Sequence, residues 1–147
     1  MKAILFCLLI VPMFSGTTDL NWNGDLNAAL TRASSEKKFI LLNFSGSDWC
    51  GPCIRMHREI FDTDAFRKLA TEKLILVQAD FPRQKKNQPT SEQIVRNEAM
   101  AEKYNPNGIF PLTLLIDANG KVLMSWEGFY KEGPASFATL IASKTIH

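Results

Sequence analysis

The sequence predicts an α/β fold in three layers, with helices on both faces of a central mixed sheet, and three observations carry that expectation. Two continuous apolar runs of strand length, "FILLNF" at 39–44 and "LILVQADF" at 74–81, have the character of strands covered on both faces. Segments with apolar residues at helical spacing stand before, between and after them. Towards the end, "PLTLLIDANGKVLMSWEG" reads as two further strands around an Asn-Gly turn, a hairpin signal. Strands joined through helices pair in parallel by right-handed crossovers, and the hairpin adds antiparallel strands.

Each element has its own local reason. In "GDLNAALTRASSEKK", Leu26, Ala29, Leu30 and Ala33 share one helix face, and Asp25 suits a helix N-terminus. The stretch "CGPCIRMHREIFDTDAFRKLATEK" opens a helix near Gly51-Pro52 and bends or restarts around "FDTDAF", where Asp62 or Thr63 can cap a second segment. After the second strand, the polar loop "PRQKKNQPT" ends in the capping-box pattern Thr90-Ser91-Glu92-Gln93, which starts the helix "IVRNEAMAEKY". The last segment, "GPASFATLIASK", has Pro134 in its first turn and spaces Phe137, Leu140 and Ile141 to pack on a sheet. Phe44, Phe61, Phe66 and Phe81 are expected in the core.

A chain of 147 residues with 46% apolar residues is long enough for one compact domain. Its formal charge of +2 is spread along the chain, with no basic block beyond Lys85-Lys86, which reads as solvated loop. Nothing tracks phosphates, so nucleic acid is not an expected partner. Residues 1–17 have the layout of a secretory signal peptide: Lys2, the apolar run "AILFCLLIVPMF", then small polar residues. That run is short of the ~20 residues a membrane-spanning helix needs. The expectation is therefore an exported chain, with one domain over 18–147 that acts as a monomer. Cys7 departs with the signal, and the pair left behind meets an oxidising compartment.

Cys50-Gly51-Pro52-Cys53 has three possible uses: a redox pair, part of a metal site, or a structural staple. Cys50 falls between the end of a buried strand and the start of a helix, where unpaired N–H groups and the helix dipole favour a thiolate; this makes it the candidate nucleophile. Cys53 lies within the first helical turn on the same face, placed to attack a mixed disulfide and resolve it. Pro52 tolerates that turn because its missing N–H costs nothing there, and with Gly51 it fixes a tight turn between the sulfurs. A metal site would draw His57 to the two cysteines, but a structural zinc wants a fourth ligand, and the only other histidine is His147. His57 reads instead as a rim residue. A staple is disfavoured because so small a ring constrains the unfolded chain weakly. Asp48 reads as a solvated loop charge whose approach to Cys50 would raise that thiol's pKa.

"WCGPC" after an apolar strand, Pro111 opening the strand "LTLLID", and Gly128 following the hairpin together resemble the thioredoxin family over roughly residues 20–145. The resemblance implies a thioredoxin fold and a thiol–disulfide oxidoreductase acting on protein thiols and disulfides without a bound cofactor or metal. Cys50 and Cys53 would be its redox pair. Trp49, Gly51, Pro52, Phe110 and Pro111 would form the substrate-binding ledge, with Pro111 as a cis-proline facing the cysteines. Gly-Pro between the cysteines is the dipeptide of reducing members, so the direction leans to reduction, with an upstream electron donor or acceptor protein as a further partner. "SGSDWC" is similar to exported thioredoxin-like proteins of bacteria, which implies the periplasm. Where the family carries a buried Asp on the strand before the cysteines, the nearest polar residue here is Asn43, seven residues before Cys50, and Asn cannot act as a general base. The alternative to an enzyme is a redox-inactive binding module of the same fold, against which stands the presence of both cysteines and the Gly-Pro pair.

Overall fold

A computed structural model of the protein describes residues 19–146. The expected signal segment, Cys7 and His147 lie outside the described residues. One sheet holds five strands in the order β1-β3-β2-β4-β5: β1 (Trp22–Asn23), β2 (Phe39–Ser45), β3 (Leu74–Asp80), β4 (Leu112–Ile116) and β5 (Val122–Glu127). β1, β3 and β2 run parallel, while β4 is antiparallel to β2 and β5 to β4. The helices are α1 (Leu26–Glu36), α2 (Gly51–Met56), α3 (Asp64–Lys73), α4 (Ser91–Tyr104) and α5 (Pro134–Lys144). The expected three-layer α/β arrangement with a mixed sheet is what the chain adopts.

β2 shows why its sequence is unbroken in apolarity. All seven of its residues are buried, and alternate side chains enter opposite faces. Phe39 and Leu41 pack with Met56, Ile60, Phe61, Phe66, Phe137 and Ile141, so α2, α3 and α5 cover one face. Ile40, Leu42 and Phe44 pack with Ala29, Ala33 and Met100, which puts α1 and α4 on the other. Burying each such side chain contributes on the order of 1.5–3 kcal/mol, so the central strand is held from both faces. Phe81 is only partly buried, at the margin of the second cluster. Leu140 is half-buried where Phe137 and Ile141 are fully covered.

The helix starts follow the expected chemistry, with informative differences. Asp25 Oδ1 accepts the Ala28 N–H at 3.0 Å, and Thr63 rather than Asp62 caps α3 through the Phe66 N–H at 3.4 Å. Thr90 caps α4 through the Gln93 N–H at 3.2 Å, but the Gln93 side chain does not return to close the box. It donates to the Gly24 carbonyl at 2.8 Å and to Asn97 Oδ1 at 2.8 Å, tying α4 to the β1–α1 junction. The Asn-Gly pair does not form a two-residue loop either. Gly120 N–H bonds to the Asp117 carbonyl at 3.0 Å, and Gly120 at φ 82° supplies the left-handed residue of a longer turn. Asp117 Oδ1 accepts from the Asn119 and Lys121 amides at 2.8 and 2.9 Å, which favours that turn over the tighter one. The bend after α2 is a wide π-helical turn, His57–Phe61, before α3 begins.

Candidate active site

Cys50 and Cys53 are joined by a disulfide, with Cα atoms 5.2 Å apart. β2 ends at Ser45, and the chain then turns: the amides of Trp49 and Cys50 both donate to the Gly46 carbonyl, at 3.3 and 2.9 Å. That turn delivers Cys50 in an extended conformation as the N-cap of α2. Its Sγ accepts the Cys53 N–H at 3.3 Å, one of the amide donors that a helix start leaves without an internal partner. The same donor would hold a Cys50 thiolate once the disulfide is reduced, since a charged acceptor strengthens the bond. Cys50 is 5% exposed and Cys53 1%, so a partner's sulfur meets Cys50 first. Gly51 and Pro52 are exposed beside it, and nothing lies within 4 Å of where a Gly51 Cβ would stand. The surface next to Cys50 is therefore unobstructed.

Trp49 is locked on three sides. Its Nε1–H donates to the Phe81 carbonyl at 2.7 Å, the Arg83 guanidinium lies 3.9 Å from its ring centroid, and Phe110 meets it edge-on at 5.5 Å. Phe110 also packs on Phe81, at 5.6 Å. The Phe110–Pro111 bond is cis. Because Leu112 pairs with Phe44, Pro111 comes opposite Ser45, at the end of the sheet from which the cysteine loop departs. The Gly128 N–H donates to the Pro111 carbonyl at 2.8 Å, and a φ of 77° explains why that position is glycine. Trp49, Phe110, Pro111 and the two cysteines thus gather at one end of the sheet. Asn105, with no signal in the sequence, braces the approach: it is 4% exposed and bonds both the amide and the carbonyl of Ile109, each at 2.8 Å.

Asp48 is not the solvated charge expected of it. Its carboxylate accepts from the amides of Arg83 and Gln84 at 2.8 and 2.9 Å and from Asn87 Nδ2 at 2.9 Å. The Arg83 N–H above all holds its pKa below the ordinary carboxylate value. The carboxylate organises the 83–87 loop and, through it, the Arg83 that stacks on Trp49.

His57 lines the rim of a cleft beside Cys53, partly covered by its neighbours. Its ring lies between Trp22 and Phe61, with centroids 5.2 and 5.1 Å away, and Nε2 is 2.8 Å from Gln78 Nε2. Burial pushes its pKa below the usual imidazole value, against the opposing pull of the Asp62 and Asp80 carboxylates. A cleft of about 350 Å³ beside Cys53 is lined in part by Ser45, His57, Asp62 and Gln78. Gln78 is paired in register with Asn43, so neutral amides occupy both strands beneath the cysteines. Asn43 Nδ2 donates to Thr113 Oγ1 at 3.0 Å, while Asn43 Oδ1 and Ser45 Oγ are buried with no hydrogen-bond partner among the described residues. Gln78 and Ser45 were visible in the sequence only as polar residues breaking or ending apolar strands.

A redox-capable cysteine pair at the start of a helix, with one sulfur reachable and the other beneath it, defines a thiol–disulfide oxidoreductase. Known proteins agree. A family model described as a thioredoxin-like domain matches residues 26–143. The chain is 37% identical over 125 residues to the disulfide bond reductase DsbH of Chlamydia pneumoniae, covering 85% of this chain and 72% of that protein. It is 30% identical over 96 residues to the thioredoxin-related protein DsbJ of the same organism, covering 65% of this chain and 26% of DsbJ. A solved structure of a DsbH oxidoreductase superposes with a TM-score of 0.79 at 31% identity, over 97% of this chain and 94% of that one. The C-terminal domain of Neisseria meningitidis DsbD in its oxidised form shares the fold, with a TM-score of 0.53 at 20% identity over 80% and 91% of the two chains. The protein belongs to the thioredoxin-like family.

Proposed function

We propose that the protein is an exported, monomeric reductase of protein disulfides, with Cys50 as nucleophile and Cys53 as resolving cysteine. The asymmetry of the pair carries this reading: Cys50 is the more exposed sulfur and caps α2, and Cys53 is almost wholly covered. In the reduced protein, the Cys50 thiolate attacks one sulfur of a substrate disulfide, and the other leaves as a thiolate. Cys53 then attacks Cys50 Sγ, the bond to the substrate breaks, and the second substrate sulfur departs. Two electrons have passed to the substrate, leaving the Cys50–Cys53 disulfide, and an upstream donor protein returns them. Trp49, Gly51, Pro52, Phe110 and Pro111 form the ledge for an extended substrate. With the Pro111 carbonyl engaged by Gly128, main-chain pairing with the substrate falls to Phe110.

The Gly-Pro dipeptide and the relative named as a disulfide bond reductase support the reducing direction, and the pattern of residues 1–17 supports export to the periplasm. The test is direct. Cys53→Ser accumulates mixed disulfides through Cys50, and Cys50→Ser abolishes exchange; full exchange by Cys50→Ser would overturn the assignment. Equilibration with glutathione is expected to give a potential near the thioredoxin value of about −270 mV; one near the −120 mV of a strong oxidant would reverse the direction.

A further inference from the structure

Among the described residues, no carboxylate on the strands beneath the cysteines is open to the proton that Cys53 must lose, and Asp62, at the cleft's exposed side, faces Arg67 at 3.8 Å. Asn43 and Gln78 cannot hold one, and Asp80 is committed to Ser47, accepting from its amide at 2.9 Å and its hydroxyl at 2.5 Å. The cleft beside Cys53 nonetheless contains a partly buried titratable group, His57. His57 stands one helical turn after Cys53, and its amide hydrogen-bonds the Cys53 carbonyl, so both side chains project from the same face.

We propose that His57 is the proton acceptor for the resolving thiol, reached across the cleft that both side chains line. As the Cys53 S–H bond breaks, its proton crosses the cleft to the imidazole through one water. The Cys53 sulfur forms the bond to Cys50 Sγ, the Cys50–substrate bond breaks, and its electron pair leaves on the substrate sulfur. The imidazolium releases its proton through the open side of the cleft, and the departing thiolate is protonated by solvent. Gln78 is the positioning residue. With its carbonyl oxygen turned to His57 Nε2, the amide fixes a proton there and leaves Nδ1 as the accepting nitrogen, so one contact serves both the neutral ring and the imidazolium.

The groups facing the ring fit this use. Asp62 on its own segment and Asp80 on β3 favour the charged form, while burial opposes it. Arg58 lines the same cleft, β1 contributes the uncharged Trp22, and behind Phe61 stands Phe137 of α5. The net result is an imidazole that is neutral at neutral pH and ready to accept.

This inference rests on the roles proposed for Cys50 and Cys53, and the experiment separates the two. Reduced full-length protein is mixed with oxidised glutathione, quenched in acid at intervals, and the decay of the Cys50–glutathione adduct is followed by mass spectrometry across pH. The wild-type decay rate should rise through a midpoint below 6.5 and then level off. In His57→Gln it should fall on the order of a hundredfold near neutrality, with the midpoint moving to the ordinary thiol value of about 8.5 or above. Gln78→Ala removes the contact at His57 Nε2 and should slow decay about tenfold and displace its midpoint. Wild-type rates and midpoints in both variants would overturn the proton route. Failure of Cys53→Ser to accumulate the adduct would instead overturn the cysteine roles.

Discussion

Asn43 and Thr113 offer a sharp check on the buried polar layer beneath the cysteines. The two residues pair across β2 and β4, are 1% and 0% exposed, and share a 3.0 Å hydrogen bond, while Asn43 Oδ1 has no partner among the described residues. Thr113→Val keeps the side-chain shape but strands the Asn43 amide completely. Leaving a buried polar group unpaired costs about 1–3 kcal/mol, which at about 3–5 °C per kcal/mol predicts a clear fall in Tm. Asn43→Leu also strands the Thr113 hydroxyl, yet it removes the unpartnered carbonyl oxygen, so its net cost should be smaller. With both changes together no polar atom of the pair remains, and stability should return to within about 1 kcal/mol of wild type. Guanidinium unfolding of the oxidised protein, at constant m-value, measures all four corners of the cycle. A double variant that loses the sum of the two single losses would refute the reasoning, because the pair would then contribute independently.

Other consequences are open to simple measurement. In Gly46→Ala the new methyl would collide with the Trp49 indole, breaking its bond to the Phe81 carbonyl. Trp fluorescence should change, and kcat/KM for a protein disulfide should fall by more than that for a small disulfide. Asp48→Ala releases the anchored loop, so hydrogen exchange should quicken across residues 83–87 with little change in the strands. The Glu59 carboxyl, bonded first by Arg55 and also by Arg58, is held down to about 2. Because its folded pKa is depressed, its contribution to stability is present above the ordinary value of 4.5 and is lost as pH falls from there towards about 2. A carboxyl NMR titration should give a midpoint near 2 in the wild type and one returned towards 4.5 when both arginines are replaced by alanine.

What the sequence made legible was whatever local pattern encodes. β2 and β3 are unbroken apolar runs because both of their faces are covered, and Asp25, Thr63 and Thr90 cap helices through bonds spanning three residues. The cysteine pair and the cis bond at Pro111 sit in segments whose resemblance to a family was explicit. What stayed hidden depends on contacts between distant segments. β1 has two residues, too few for any alternation, and exists because it pairs with Leu76 and Val77 of β3. Asp48 looked like a loop charge because its partners lie 35 to 39 residues away. Gln93 resembled half of a capping box, but its side chain serves Gly24, 69 residues distant. The partial cover of His57 stayed hidden because nothing local shows that Trp22 and Gln78 meet its ring.

The wide turn at His57–Phe61 can be viewed as an insertion carried inside a helix rather than in a loop. A regular helix turns by about 100° per residue, so one extra residue rotates everything after it by that amount about the axis. Neighbouring Ile60 and Phe61 are both buried at this turn, ahead of the start of α3 at Asp64, while His57 is directed at β3. A residue-by-residue count from α2 into α3 slips by one at this turn. His57 itself stands before the slip, four residues on from the second cysteine, whereas a counterpart of Phe61 should be sought by its packing and not by counting.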